Sequence, residues 1–373
     1  MKIGILGGGQ LARMMIEAGS RFGYDFIIYS TEKNSPAGRM CSREYFGNWD
    51  NLDAIGEFTR SADVITLENE FIDYKIIEHI ENNGGVVKPD SSVVKMVQDK
   101  LLQKNFLKEI SVPVADFTEI NSHEDISRFC GKVGFPVVLK SRTMGYDGKG
   151  NYMIKSESDI DVAYSQLSER GKLMCEEFIN FNFEAAIQAV RNEKGEIKFY
   201  PIVETLQEDH ICHLVKAPLQ LPADMSDYLL GITEKVLNKL NYIGVMGIEF
   251  FVTKSKILIN ELAPRVHNTG HYTIEACDVS QFENHIRAVT GLPLGNTEMK
   301  CKSAVMINIL GTRDGDCTNP ELNSVMKMRN IYLHLYGKEK IRKGRKMGHI
   351  IAIADDIGSA EVFAVQARKL IDI

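Results

Sequence analysis

The sequence predicts a mixed chain, α/β at its start and α+β beyond. Three patterns carry that prediction. Residues Lys2–Leu6, a run of glycines, an amphipathic stretch and the apolar segment Asp25–Tyr29 read as strand, turn, helix and strand, the opening of a parallel sheet. After about residue 170, strand-like segments follow one another with short turns between them, as antiparallel hairpins do. At 373 residues the chain has length for two or three domains.

The elements follow in order. Gln10–Ser20 places Leu11, Met14, Met15 and Ala18 on one helical face. Ala62–Leu67 is a further strand that delivers Glu68 and Glu70 to its end, where ligands collect in open α/β sheets. Gly84, Gly85 and Pro89 loosen the chain before Val93–Ile110, which reads as one amphipathic helix ended by Pro113. Phe135–Lys140 is a strand running into a loop with glycines at 145, 148 and 150, and Tyr152–Ile154 a strand after it. Lys172–Ile179 carries Glu176 and Glu177. Phe183–Val190 and Ile197–Val203 read as two strands around a turn, Met225–Leu240 as a helix, and Gly247–Val252 with Ile257–Leu262 as a hairpin. Beyond Pro293 short strands surround a basic, glycine-punctuated segment at 338–348.

Composition excludes several classes. With 44% hydrophobic and 25% charged residues, the chain is neither disordered nor fibrous. Its 44 basic against 50 acidic residues give a net charge of −6, which offers no general attraction to nucleic acid or an anionic membrane. No apolar run approaches the ~20 residues of a membrane span, and the N-terminus enters a strand directly. Seven cysteines without a C-x-x-C spacing read as free thiols in a reducing compartment. A cytoplasmic protein is expected.

Two glycine loops offer anion sites. Gly7-Gly8-Gly9-Gln10-Leu11-Ala12 fits G-x-G-x-x-A, whose backbone N–H groups at a helix N-terminus suit a dinucleotide or a sugar phosphate equally; a tight turn without ligand is the plain alternative. Gly145-Tyr146-Asp147-Gly148-Lys149-Gly150-Asn151 has P-loop spacing, but Asn151 replaces the required lysine and a strand follows. A hairpin loop folding over phosphates fits better, with Lys140 reaching the same anion.

The hairpin near residue 250 is the sharpest signal. With Lys254–Lys256 as the turn, Thr253 faces Ile257 and Glu249 lies opposite Glu261. Two carboxylates so placed repel unless a cation or proton lies between them, and oxygen donors beside a nucleotide suit Mg2+. A one-residue slip would instead pair Glu249 with Asn260. The loop Ala263–His271 then delivers Arg265, His267 and Asn268 to that edge; Pro264 and Gly270 argue against a helix and a zinc site there. His210, Cys212 and His213 alternate faces of a strand rather than converging on a metal. Lys338, Arg342, Lys343, Arg345 and Lys346 form a basic run, either a solvated face or a phosphate partner.

Together, the lysine-ended strand, GYDGKGN, CEEFI, the Glu–Asn-Glu hairpin and NELAPRVHNTGH resemble the ATP-grasp superfamily. Within it they are similar to the N5-carboxyaminoimidazole ribonucleotide synthase family, as are MKIGILGGGQLARM and YGKEKIRKGRKMGHI, over about residues 1–355. The resemblance implies a Rossmann-like N-terminal domain (1–95), a two-lobed ATP-grasp domain (96–290, lid lobe about 115–180) and a small β-rich C-terminal domain (295–373). It implies ATP-dependent carboxylation of aminoimidazole ribonucleotide by bicarbonate through carboxyphosphate, with Mg2+, in a homodimer. Lys100 and Lys140 would contact phosphates covered by Gly145–Asn151. Glu176, Glu177, Phe178 and Ile179 would frame adenine, partly through backbone. Glu184 would take the ribose, and Glu249 and Glu261, assisted by Asn260, the metal. Gly9, Gln10, Leu11, Lys338 and Arg345 would hold the ribonucleotide phosphate, and Glu68 or Glu70 the aminoimidazole. Tyr146, Asp147, Arg265, His267 and Asn268 would surround bicarbonate and the amine. Two positions depart from the family pattern: Lys100 stands where arginine is frequent, and Gln207, beside the nucleotide, where histidine is. A sister ligase using formate remains the alternative. An NAD oxidoreductase built on Gly7–Ala12 leaves the second glycine loop and the glutamate pair unexplained.

Overall fold

The computed structural model describes residues 1–143, 145, 150–317 and 322–373. The N-terminal sheet is parallel, in the order Arg43–Phe46, Asp25–Ser30, Lys2–Leu6, Val64–Leu67. Lys2–Leu6, Asp25–Ser30 and Val64–Leu67 are largely apolar and buried on both faces, as crossover helices require, while the edge strand Arg43–Phe46 is mostly exposed. Helix Gln10–Gly19 lays Met14, Met15 and Ile16 on Ile3, Ile5 and Phe26. The same cluster takes in Phe282 and Ile286 from helix Gln281–Thr290, and a buried hydrogen bond of 2.7 Å joins Thr66 Oγ1 to His285 Nε2. The parallel sheet is therefore locked against the middle of the chain.

Residues 117–177 build a separate antiparallel sheet, ordered Phe117–Ile120, Leu173–Glu177, Val137–Ser141, Asn151–Ile154. Helices His123–Val133 and Ile160–Ser168 close one face over Ile126, Phe129, Leu139 and Cys175.

The third sheet has nine strands. Eight run in the order Ile257–Ala263, Gly244–Val252, Phe183–Arg191, Val203–Glu208, Ile211–Ala217, Ser303–Leu310, Lys346–Ala354, Ile331–Leu335, and Ile197–Phe199 pairs with Phe183–Arg191. Helix Ala223–Lys239 packs Leu229, Ile232 and Val236 on its first half, and helix Ile357–Lys369 packs Ala360, Ala364 and Ala367 on its second.

Four expectations need correction. The stretch 93–110 is two helices, Ser91–Gln98 and Lys100–Glu109, because Asp99 adopts an extended ψ of 110° and its carboxylate caps the second by accepting from the Leu101 and Leu102 N–H groups. The segment 197–203 is not one strand: Ile197–Phe199 stops short of Pro201, and a new strand starts at Val203. The strand carrying Glu176 ends at Glu177, so Phe178 and Ile179 lie beyond it. The C-terminal segment is not a collection of short strands. It contributes strands of eight and nine residues and a 13-residue helix, and its Ser303–Leu310 pairs directly with Ile211–Ala217. All seven cysteines are free thiols, as read from their spacing.

Candidate active site

The hairpin of the large sheet places two carboxylates together by an unforeseen route. Val252 faces Ile257 and Phe250 faces Ile259, one residue out of the expected register. A bulge follows. Asn260 is passed over, and Glu249 pairs with Glu261. Glu249 is confined between Ile248 and Phe250, both fully buried. Burial, then the neighbouring charges of Glu261 and Glu184, push its carboxyl up to about 8. A cation between the pair would relieve that repulsion. Among the described residues no group of three or more Asp, Glu, His or Cys converges on one point. Two carboxylates with a neighbouring amide suit a hard divalent ion that takes its remaining oxygens from a ligand.

Cations line the same edge. Lys100 Nζ lies 3.1 Å from Glu261 Oε1, and the acids around it outweigh burial and keep the ammonium charged. Asn260, Glu261, Lys100, Lys104, Lys140 and Glu176 share one small cleft. In it the Glu176 carboxylate lies between two ammonium groups, Lys104 at 2.6 Å and Lys140. Burial alone would raise its pKa; Lys104 and Lys140 override that and hold it at about 2. A larger cleft of about 330 Å3 opens beside it and brings together Glu70, Lys100, Gly145 and Glu261.

Arg142 ties the separate four-stranded sheet to this edge. Its guanidinium forks onto both Asp99 oxygens and reaches Glu119 at 2.6 Å, and its carbonyl accepts from the Lys100 N–H at 2.8 Å.

The loop after the hairpin turns Arg265 back onto Glu70. Nε pairs with one carboxylate oxygen, Nη2 donates to the other at 2.7 Å, and Nη1 donates to the Val266 carbonyl. His267 Nε2 lies 3.8 Å from Glu249 Oε1, and its Nδ1 meets Thr269 Oγ1 at 2.8 Å. Burial, with Arg265 and Lys346 nearby, keeps this imidazole neutral, well below its usual range. Asn268 opens a short 3₁₀ turn, its buried Nδ2 without a hydrogen-bond partner, close to Cys212, whose thiol burial pushes up to about 12.

The first glycine loop meets Glu68. Gly7 has φ +105°, and a Cβ on Gly9 would stand 2.3 Å from Glu68 Oε1. Glu68 also accepts from Asn69 Nδ2 at 2.8 Å and lies against the Leu11 N–H. So the two acids divide: Glu68 underlies the loop and Glu70 fixes Arg265. Lys338 reaches the same corner, donating to the Lys346 carbonyl at 2.7 Å; burial first, then Arg345, lower its ammonium to about 7. Gln207 hydrogen-bonds the Glu184 carboxylate, whose pKa burial raises to about 7.

Three segments of the chain match known domain families: residues 1–98 the ribonucleotide synthetase preATP-grasp domain, 105–282 the ATP-grasp domain and 304–362 the phosphoribosylaminoimidazole carboxylase C-terminal domain. An N5-carboxyaminoimidazole ribonucleotide synthase of Synechococcus elongatus is 33% identical over 370 residues, 99% of this chain and 93% of that protein. The chain belongs to the N5-carboxyaminoimidazole ribonucleotide synthase family. A phosphoribosylaminoimidazole carboxylase of Schizosaccharomyces pombe is 39% identical, but the chain spans only 65% of its length. The synthase structure from Thermotoga maritima superposes with a TM-score of 0.89 at 37% identity, covering 100% of this chain and 98% of that one. The Aspergillus clavatus synthase, determined with ADP and 5-aminoimidazole ribonucleotide, gives 0.88 at 31%, covering 99% and 98%.

Of the residues the family pattern points to, Lys100, Lys140, Gly145, Glu176, Asn260 and Glu261 line the two clefts, with Glu249 across the hairpin. Glu184 and Gln207 lie together one strand away. Gly150 and Asn151 close the loop at the edge strand opposite Lys140. Tyr146, Asp147, Gly148 and Lys149 lie outside the described residues. Three neighbours of these clefts were not singled out as site residues. Lys104 and Arg142 resemble ordinary charges of a helix face and a strand end. Lys346, named only within the basic run, lies close enough to act on His267 and Glu249. Spacing held a signal for Lys104, which is four residues from Lys100 on one helical face.

Proposed function

We infer that this chain carboxylates the exocyclic amine of 5-aminoimidazole ribonucleotide with bicarbonate and ATP, releasing ADP and phosphate, a step of purine biosynthesis. Family membership over nearly the whole chain supports the reaction. The observation that carries the chemistry is the Glu249–Glu261 pair beside Lys100 and Lys140.

Bicarbonate is a weak electrophile. The route is attack of a bicarbonate oxygen on the γ-phosphorus of ATP, with ADP leaving, then attack of the amine on the carboxyl carbon or on CO2 released from it, with phosphate leaving. Such transfer needs positioning and charge neutralisation more than covalent participation. Lys100 and Lys140 neutralise the phosphates. Mg2+ held by Glu249 and Glu261, with Asn260 alongside, would add the divalent charge that the triphosphate requires. Glu184, with Gln207 on its carboxylate, faces the ribose, and the backbone of Glu176–Ile179 borders adenine. Arg265, locked by the Glu70 fork, orients bicarbonate, and neutral His267 and Asn268 offer hydrogen bonds to it or to the amine. Gly9, Gln10 and Leu11 present backbone N–H groups to the ribose phosphate, with Lys338 and Arg345 supplying charge. We assign the protein to the cytoplasm as a homodimer, the latter tested by sedimentation equilibrium. Among the described residues no helix is long and apolar enough to cross a membrane.

The deciding assay compares ADP release with bicarbonate plus aminoimidazole ribonucleotide against formate plus glycinamide ribonucleotide. Turnover with the first pair alone is expected; a response only to the second would transfer the chain to the formate-dependent branch.

A further inference from the structure

Two of the three lysines of helix Lys100–Glu109 stand in opposite circumstances. Lys100 lines both clefts, whereas Lys104 is 3% exposed and reaches only the inner wall of the small one. Its ammonium has two neighbours: it donates to the Ile259 carbonyl at 3.1 Å and lies 2.6 Å from Glu176 Oε1. Glu176, 2% exposed, gives its second oxygen to Lys140. The trio thus holds one carboxylate between an inner lysine that has nowhere to go and an outer lysine at the cleft.

That arrangement has a consequence for nucleotide entry. When Lys140 turns to a phosphate, Glu176 loses one of its two cations. A buried carboxylate left with none carries a large desolvation penalty, and that penalty would be charged against nucleotide binding. We propose that Lys104 is a positioning residue for the nucleotide step: it keeps Glu176 neutralised from below, so that Lys140 can transfer from carboxylate to phosphate. Lys104 touches no phosphate itself, since its ammonium is anchored on the Ile259 carbonyl. The inference rests on the reading of the cleft as an ATP site.

The test measures KM for ATP, kcat, and ADP affinity by calorimetry in Lys104→Met, in Lys104→Gln, and in Lys104→Met combined with Glu176→Gln, with folding followed by circular dichroism. Lys104→Met should raise the ATP KM at least tenfold and weaken ADP in parallel, while the ribonucleotide KM moves less than twofold. Adding Glu176→Gln should lower the ATP KM again by at least threefold, because Lys140 then has no carboxylate to leave. A purely structural counter-ion gives no such recovery. The proposal is overturned if the single variants leave the ATP KM within twofold. It is equally overturned if the double variant fails to fold or to recover, or if neither single variant folds. Wild-type protein that releases no ADP with bicarbonate and ribonucleotide refutes the functional reading instead, and ADP calorimetry across the same variants still decides the role of Lys104.

Discussion

Glu249 and Glu261 stand opposite one another because Asn260, the residue between Glu261 and Ile259, has no partner in the ladder. Without that bulge, the register set at Val252 and Ile257 would put Asn260 across from Glu249 and turn Glu261 to the other face. A local irregularity of one residue therefore creates the acidic pair. Bulges gather at such sites because they re-aim a side chain.

The pair works against stability. Glu249→Gln removes one of two crowded carboxylates, so the ligand-free protein should melt about 2–4 °C higher for each kcal/mol of repulsion relieved. Turnover should fall at least about 10²-fold in the same variant, and likewise in Glu261→Gln, which should stay folded. Differential scanning calorimetry with an ADP-release assay checks both. Undiminished turnover in purified, folded Glu261→Gln would remove the metal assignment.

Gly9→Ala is expected to press a methyl group into the Glu68 carboxylate, which stands only 2.3 Å from where the Cβ would be. Relief requires a shift of Glu68 or of the loop, costing about 1–3 kcal/mol. The ribonucleotide KM should rise while that for ATP holds. Equal changes in both would separate the loop from the phosphate.

Lys338 contributes a pH dependence of its own, beside those of Glu184 and Glu249. Its ammonium falls from 10.5 to about 7 through burial, then through Arg345. Between these values the unfolded chain binds the extra proton and the folded chain does not, so this group makes stability rise with pH over that window. Catalysis goes the other way. As pH climbs past about 7 the free enzyme loses the charge proposed to meet the ribose phosphate, so kcat/KM for the ribonucleotide should fall, and Lys338→Met should flatten that limb. A limb that persists in the variant would assign the titration elsewhere.

Arg142→Ala should leave Asp99 and Glu119 without their shared cation. Removing one partner of a largely buried pair costs of order 3 kcal/mol. Urea unfolding should show that loss, and the ATP KM should rise because the guanidinium that fixes Asp99, the cap of the helix that begins at Lys100, is gone.

Much of this was readable in advance. The first βαβ unit followed from apolar continuity and glycine punctuation, and helix 223–239 from its period. The helix break at Asp99 escaped because Asp in mid-pattern looks like a solvated position, although its capping chemistry marks a start. The hairpin pairing came out as expected, but by two departures that cancelled: the turn was one residue shorter than assumed, and the bulge restored the difference. Lys104 was passed over because its i+4 spacing from Lys100 says only that the two share a helical face, not that one of them will find a buried partner. Glu68 and Glu70 could be separated only in three dimensions, one filling the space a Gly9 side chain would take and the other gripping a guanidinium 195 residues away.

The ladder between Ile211–Ala217 and Ser303–Leu310 makes one beam of the strands that bear the acidic pair and those that bear the basic tail. To hinge the C-terminal segment away would tear a row of backbone bonds from the middle of that beam. Among the described residues, the four-stranded sheet of residues 117–177 shares no such ladder with it. What ties that smaller sheet to the beam's edge is the grip of Arg142 on Asp99 and the hydrogen bond from the Lys100 N–H to the Arg142 carbonyl, so a change at Arg142 is felt at Lys100 without disturbing the beam.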